Sequence, residues 1–321
     1  MSVIEVREVA RSFVLRRKSG RFRRTAETVH AVRDLSFSVE AGEMVGYIGP
    51  NGAGKSTTIK MLTGILVPSA GELTVAGLTP YVERTRLAQH IGVVFGQRTT
   101  LWWDLPLRDS FELLRRIYRV SAARYRENMT TFTELLDLAP LLDTPVRQLS
   151  LGQRMRGDIA AALLHDPDVV YLDEPTIGLD VVSKSNLRDF LRETNRERGV
   201  TVLLTTHDLV DIERLCSRVM VIDAGRLAFD GDLEALHNLG EARRTLVVDL
   251  VEPAPPLDVP NAQTLRVEGP RQWLAFPAEA SAAPLVATIA ASHEVADLSI
   301  LEPNIEDVIK RIYSTGPPPS E

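Results

Sequence analysis

Gly49-Pro-Asn-Gly52-Ala-Gly54-Lys55-Ser56-Thr57 follows the apolar run Met44-Val-Gly-Tyr-Ile48 and opens into Thr58-Ile-Lys-Met-Leu-Thr63. The order is strand, glycine-rich loop, helix. Such a loop needs glycines because successive backbone N–H groups must turn inward around a polyphosphate, along a path that Cβ atoms would block. The helix that follows directs the positive end of its dipole at the same anion. Lys55 is placed to reach the β- and γ-phosphates, and the Ser56 hydroxyl to join a Mg²⁺ shell.

Working outward, Val3 to Val9 and Val29 to Val39 mix apolar and charged residues as half-buried strands do, and Ser12 to Leu15 begins the next loop or strand. Between them lies a basic stretch with Arg16, Arg17, Lys18, Arg21, Arg23 and Arg24. Gly71 to Gly77 reads as a short strand and Ile91 to Phe95 as a buried one that ends at Gln97. Leu107, Phe111, Leu114 and Tyr118 recur at helical spacing, as do Tyr125, Met129, Phe132 and Leu136, which predicts two amphipathic helices forming a lobe inserted between strands.

Val169-Val-Tyr-Leu172 ends abruptly in Asp173-Glu174-Pro175, and Val200 to Thr206 ends at His207. Strands alternating with helices predict a parallel sheet whose ligand lies beyond the C-terminal ends of the strands. The phosphate loop, the two carboxylates and the histidine all fall at that edge. Asp173 and Glu174 are expected to point in different directions, as consecutive strand residues do. Val219 to Phe229 predicts a hairpin turning at Ala224-Gly225, and a short helix from Leu233 to Leu239 closes the first domain. Beyond it Thr245 to Val251, Thr264 to Val267, Gln272 to Phe276 and Ala296 to Leu301 read as strands, with helices at Pro284 to Ala291 and Ile305 to Ile312. They form a small α+β unit over 240–315. The tail 316–321 is expected to be disordered.

The chain has 321 residues, 44% of them hydrophobic, and a formal net charge of -6. That is enough for one sizeable core and a smaller second domain. The negative balance argues against nonspecific binding of nucleic acid, which rests on summed Lys and Arg contacts. Cys216 is the single cysteine, so no internal disulfide or thiolate cluster can form, and a cytoplasmic setting is expected. No leader is expected from Met1 to Glu8, and no run of about 18 apolar residues occurs to cross a membrane.

Taken together these motifs resemble the nucleotide-binding subunit of ATP-binding cassette (ABC) transporters over residues 1 to 239. Gly49 to Ser56 matches the Walker A motif, Gln97 the Q-loop, Leu149-Ser-Leu-Gly-Gln153 the signature, Val169 to Glu174 the Walker B motif, Gly178-Leu-Asp180 the D-loop and His207 the switch histidine. The resemblance implies a P-loop NTPase fold with an antiparallel β subdomain and a helical lobe over about 98–160, followed by a C-terminal accessory domain that stabilises or regulates the dimer. It implies ATP and Mg²⁺ as ligands, held by Gly49, Asn51, Gly52, Gly54, Lys55, Ser56 and Thr57, with Ser56, Gln97 and Asp173 around the metal. Glu174 would activate water, with Gln97 and His207 sensing the γ-phosphate. Phe13 stands where relatives stack an aromatic ring on adenine, and core packing is the other reading of that residue.

Leu151 replaces the first glycine of the commonest signature, while Ser150, Gly152 and Gln153 remain. In the family these residues and Asp180 serve a head-to-tail homodimer enclosing two ATP molecules on a separate integral-membrane permease. The segments Gln97 to Pro106 and Asp297 to Val308 look most like a bacterial drug- and lipid-exporting subgroup at the cytoplasmic face of the inner membrane. The alternatives are the ATPase of an importer, or a soluble cassette remodelling ribosomes or nucleic acid. The single cassette and short lobe disfavour the latter. The basic stretch suits anionic lipid or an acidic permease loop, or else a solvated hairpin. Trp102-Trp103 suits an exposed interface anchor or burial under the lobe. His165 and Cys216 are read as structural.

Overall fold

A computed structural model describes residues 1–18, 24–96, 98–238, 243–277, 279–301, 308–309 and 312–313. The chain divides into two compact units, Met1–Asp230 and Gly231–Glu321.

The first unit begins with β1 (Ser2–Lys18) and β2 (Arg24–Glu40), paired antiparallel with bulges. β1 therefore runs unbroken through Ser12 to Leu15, where a new element was expected. A bulge absorbs the change of direction, with Glu8 held at φ 50° and its N–H bonded to Ser36 Oγ at 2.8 Å. β3 (Met44–Ile48) leads through the glycine loop into α1 (Lys55–Leu62), and β4 (Ala70–Val75) joins β1 to complete a three-stranded sheet. The short α2 (Arg84–Leu87) precedes β5 (Ile91–Phe95).

The helical lobe comprises α3 (Leu107–Ile117) and α4 (Ala122–Leu135), with α5 (Leu151–Leu163) returning to β6 (Val169–Asp173). Leu107, Phe111 and Leu114 are buried as their spacing predicts, while Tyr118 ends the helix and stacks on His165 at 3.9 Å. On α4 the buried pair is Asn128 and Phe132, and Met129 is only half-buried. Asn128 is admitted because its amide is satisfied, donating to Leu164 O at 3.0 Å and accepting from Arg198 at 2.9 Å. Trp102 and Trp103 are 38% and 50% exposed, and the Arg154 guanidinium lies 5.4 Å from the Trp103 ring centre. They lie at the surface.

α6 (Val181–Arg198), β7 (Thr201–Thr205), α7 (Leu209–Leu215), β8 (Arg218–Asp223) and β9 (Arg226–Asp232) complete the unit. The central sheet has the order β5-β6-β7-β3-β8-β9, and the pairs from β5 through β8 are parallel. Its inner strands are covered on both faces, which is why they read as continuous apolar runs. One face, with Tyr47, Tyr171, Leu203 and Met220, packs on Ile4, Val6, Leu35 and Phe37 of the antiparallel sheet and on Ile59 and Leu62 of α1. The β8–β9 turn uses Ala224 and Gly225 at φ 46° and 82°, the backbone that a two-residue hairpin requires.

The second unit contains α8 (Leu233–Asn238), β10 (Arg243–Leu250), β11 (Gln263–Glu268), β12 (Arg271–Pro277), α9 (Ala283–Ser292) and β13 (Val295–Leu301). Its sheet, ordered β11-β12-β10-β13, is antiparallel. Leu246, Val248, Leu274 and Phe276 form a core with Leu285 and Ile289 of α9. The fully buried Gln272 fixes the proline-rich stretch, donating to Ala254 O and Pro255 O and accepting from Leu257 N. Of the expected helix Ile305–Ile312, residues 308, 309 and 312 are helical, and its other residues lie outside those described. So do residues 19–23 of the basic stretch and the tail 316–321.

Phe276 is fully buried, so Phe276→Ala should cost the second unit about 3–5 kcal/mol. Faster amide hydrogen exchange in β10 and β12 would report that loss, and unchanged exchange would contradict the core assignment.

Candidate active site

The loop between β3 and α1 closes around its own lysine. Lys55 Nζ donates to Gly49 O at 2.5 Å and Pro50 O at 3.1 Å, and the side chain is buried. An ammonium taken out of water needs such acceptors. Burial lowers the Lys55 pKa, and Glu174 and Asp173 oppose that shift. Gly54 ends the loop at φ 114°, and a Cβ there would lie 2.6 Å from Ala31 O, so only glycine fits. The loop is braced from below: Tyr47 Oη donates to Thr58 Oγ1, which donates to Gly54 O, each at 3.2 Å. The β8–β9 turn braces its side, Gly225 N donating to Ala53 O at 2.9 Å.

A cavity of about 720 Å³ opens above this loop. Asn51, Gly52, Gly54, Lys55, Ser56 and Thr57 line it together with Asp173, Glu174 and His207, so residues more than 150 positions apart in sequence meet where the topology directs them. Asp173 Oδ1 accepts from Thr205 Oγ1 at 2.5 Å. Glu174 Oε1 lies 3.2 Å from His207 Nε2. Burial raises the Glu174 pKa and the charge of Asp173 adds to it, while His207 and Lys55 pull the other way.

Glu174 is not a strand residue. β6 ends at Asp173, and Glu174 sits in the left-handed region at φ 56° with its N–H bonded to Thr205 O at 2.9 Å. Asp173 and Glu174 take different partners, Thr205 and His207, and the backbone turns between them in a conformation strained for a non-glycine residue. Gly96 makes room for that turn, since a Cβ there would stand 2.7 Å from Asp173 O and 3.0 Å from Glu174 Cβ. No sequence motif marks Gly96, nor Lys60 and Arg98, which bring positive charge to the cavity wall. Lys60, one helical turn beyond Ser56, could have been found by its spacing.

Of the remaining expected residues, those that are described lie outside the cavity wall. Gln97 is outside the described residues. Phe13 does not line the cavity; it is half-buried on β1, with the Arg11 guanidinium 4.8 Å from its ring centre. Ser150 and Gln153 form a capping box at the start of α5, Ser150 N donating to Gln153 Oε1 at 2.9 Å and Gln153 N to Ser150 Oγ at 3.2 Å. Gly152 and Leu151 pack on Leu179 and Gly178, where added Cβ atoms would leave gaps of only 2.8 and 2.5 Å. The leucine that departs from the usual signature is therefore accommodated by a glycine of the D-loop in the same chain. Asp180 caps α6, accepting from Ser183 N and Oγ, and these bonds hold its pKa down.

A cradle of backbone amides with two lysines, opposite a carboxylate pair and a histidine, suits a polyphosphate carrying a divalent cation. Among the described residues no group of three or more His, Cys, Asp or Glu could hold a metal ion.

Comparison with known proteins supports this chemistry. The family model described as "ABC transporter" matches residues 32–177. The ABC transporter ATP-binding protein NatA of Bacillus subtilis (strain 168) is 34% identical over 219 residues, 68% of this chain and 89% of that protein. The Nod factor export ATP-binding protein I of Ralstonia nicotianae is 37% identical over 294 residues, 88% of each chain. A solved dimeric ATP-binding cassette in a post-hydrolysis state, bound to ADP and Pi, covers 72% of this chain and 98% of its own at a TM-score of 0.62 and 26% identity. With the phosphate cradle and carboxylates assembled as described, and relatives matched along 88% of both chains, the chain belongs to the family of ABC transporter ATP-binding proteins.

Proposed function

We propose that this ATPase subunit powers a bacterial exporter, closing as a head-to-tail homodimer on two ATP molecules at the cytoplasmic face of the inner membrane and driving a separate integral-membrane permease. The observation that carries the catalytic part is the Glu174–His207 contact of 3.2 Å facing Lys55 across one cavity. The export reading is supported by the relative named as a Nod factor export ATP-binding protein. No helix among the described residues is long and apolar enough to cross a membrane, so the span is assigned to the permease.

Hydrolysis of the γ-phosphate depends on positioning and electrostatic stabilisation. Lys55 and the loop amides take the phosphate charge. Ser56 and Asp173, with Gln97, would hold Mg²⁺, whose charge neutralises the phosphate oxygens. Glu174 accepts a proton from the attacking water, and its elevated pKa brings it nearer the operating pH, which favours a general base. His207 holds the Glu174 carboxylate and reports on the γ-phosphate. Ser150, Gly152 and Gln153 lie away from their own chain's cavity, as residues that complete the partner's site do, and Asp180 stands at the seam. Phe13, outside the wall of the phosphate cavity, is assigned to the adenine, which would extend beyond the phosphates. The segment 240–315 acts as an accessory domain of the dimer.

Glu174→Gln should keep ATP binding, lose about 10²–10⁴-fold of hydrolysis and accumulate dimer on size-exclusion chromatography with ATP; normal turnover would show that another group is the base. Lys55→Ala should bind Mg-ATP about ten- to hundredfold more weakly by calorimetry, from loss of a charge-assisted bond. Unaltered affinity would contradict the cradle.

A further inference from the structure

Behind the cavity lies a buried polar cluster whose members come from four places in the chain. Asp211 on α7 is fully buried and Arg188 on α6 is only 7% exposed. Arg188 Nε and Nη2 both reach Asp211 Oδ1, at 2.6 and 2.5 Å. The other carboxylate oxygen, Asp211 Oδ2, accepts Thr176 Oγ1 at 2.6 Å and Thr206 Oγ1 at 3.1 Å. Thr206 Oγ1 in turn accepts Asp208 N at 3.0 Å, and the Asp208 carboxylate takes Lys184 Nζ at 2.7 Å.

Thr176 is two residues past Glu174, and Thr206 and Asp208 flank His207. One carboxylate oxygen therefore fastens the backbone beside both members of the Glu174–His207 pair. Buried ion pairs contribute little net stability compared with an apolar replacement of the same shape. What this one supplies is direction, because each donor to Asp211 comes from a different segment and can be satisfied in only one arrangement. Glu174 needs such a restraint, since its left-handed backbone would otherwise relax.

We propose that Asp211, oriented by Arg188, is a positioning residue for hydrolysis that sets the distance between Glu174 and His207 through the hydroxyls of Thr176 and Thr206. Because Arg188 and Lys184 lie on α6, whose N-terminus is capped by Asp180, the cluster also ties the D-loop helix to the switch segment. This inference rests on the reading of Glu174 as the base.

The test is Thr176→Val, which removes one hydroxyl and leaves the Arg188–Asp211 pair in place, assayed beside Thr176→Ser and Glu174→Gln. Thr176→Val should lower kcat about ten- to hundredfold, the scale of a misplacement near 1 Å, with the KM for ATP within about twofold. Thr176→Ser should restore kcat. In a His207→Ala background the same Thr176→Val change should cost little more, because the pair it positions is already gone. A normal kcat in Thr176→Val, a change in KM alone, or a full multiplicative loss on top of His207→Ala would each overturn the proposal. If Thr176→Val unfolds, Thr206→Val carries the same prediction. Wild-type turnover in Glu174→Gln would instead bring down the base assignment beneath it.

Discussion

A lysine ammonium out of water must be given acceptors, and in this protein two carbonyls of its own loop provide them. Gly49 and Pro50 hold Lys55 at 2.5 and 3.1 Å, so the loop is wrapped around a positive charge. That wrapping fixes the rest. The loop must leave a strand and enter a helix N-terminus, the strand must lie in a parallel sheet, and its C-terminal edge must carry the groups that act on the phosphate. Thr58 and Gly225 brace the same loop by donating to the carbonyls of Gly54 and Ala53.

The parallel sheet and the residues of its edge were legible because each motif is contiguous. A glycine-rich loop, an apolar run ending in two carboxylates and another ending in histidine need only local sequence to be recognised, and the cavity brings them together. What could not be read depends on contacts between distant segments. The backbone at Glu174 makes a left-handed turn that Gly96, far away in sequence, leaves room for. Leu151 replaces the first glycine of the commonest signature, and only the folded chain shows Gly178 lying against it. Periodicity favours Met129 over Asn128 because it weighs apolarity and cannot know that a carbonyl and an arginine wait for an amide. The unbroken β1 was hidden by a bulge that interrupts its alternation.

The groups that do chemistry and the groups that hold them are thus differently encoded. Glu174 and His207 follow directly from their strands. Their separation depends on Asp211, Arg188, Thr176 and Thr206, none of which carries a recognisable pattern, and whose bonds span up to 35 positions. Strain at Glu174 and a satisfied buried ion pair behind it are two sides of one arrangement: the first sets the carboxylate where a strand residue would not go, and the second keeps it there.

One chain supplies the cradle, the carboxylates and the histidine, while its capping-box serine stands outside its own cavity. The most direct measurement is therefore the steady-state ATPase rate of the purified protein over a wide range of concentration at saturating Mg-ATP. A rate per chain that rises with concentration before levelling off is the expected result, because in the proposed head-to-tail homodimer two chains meet to complete a site. A rate per chain that stays constant down to the lowest concentrations, with light scattering showing monomers throughout, would contradict it.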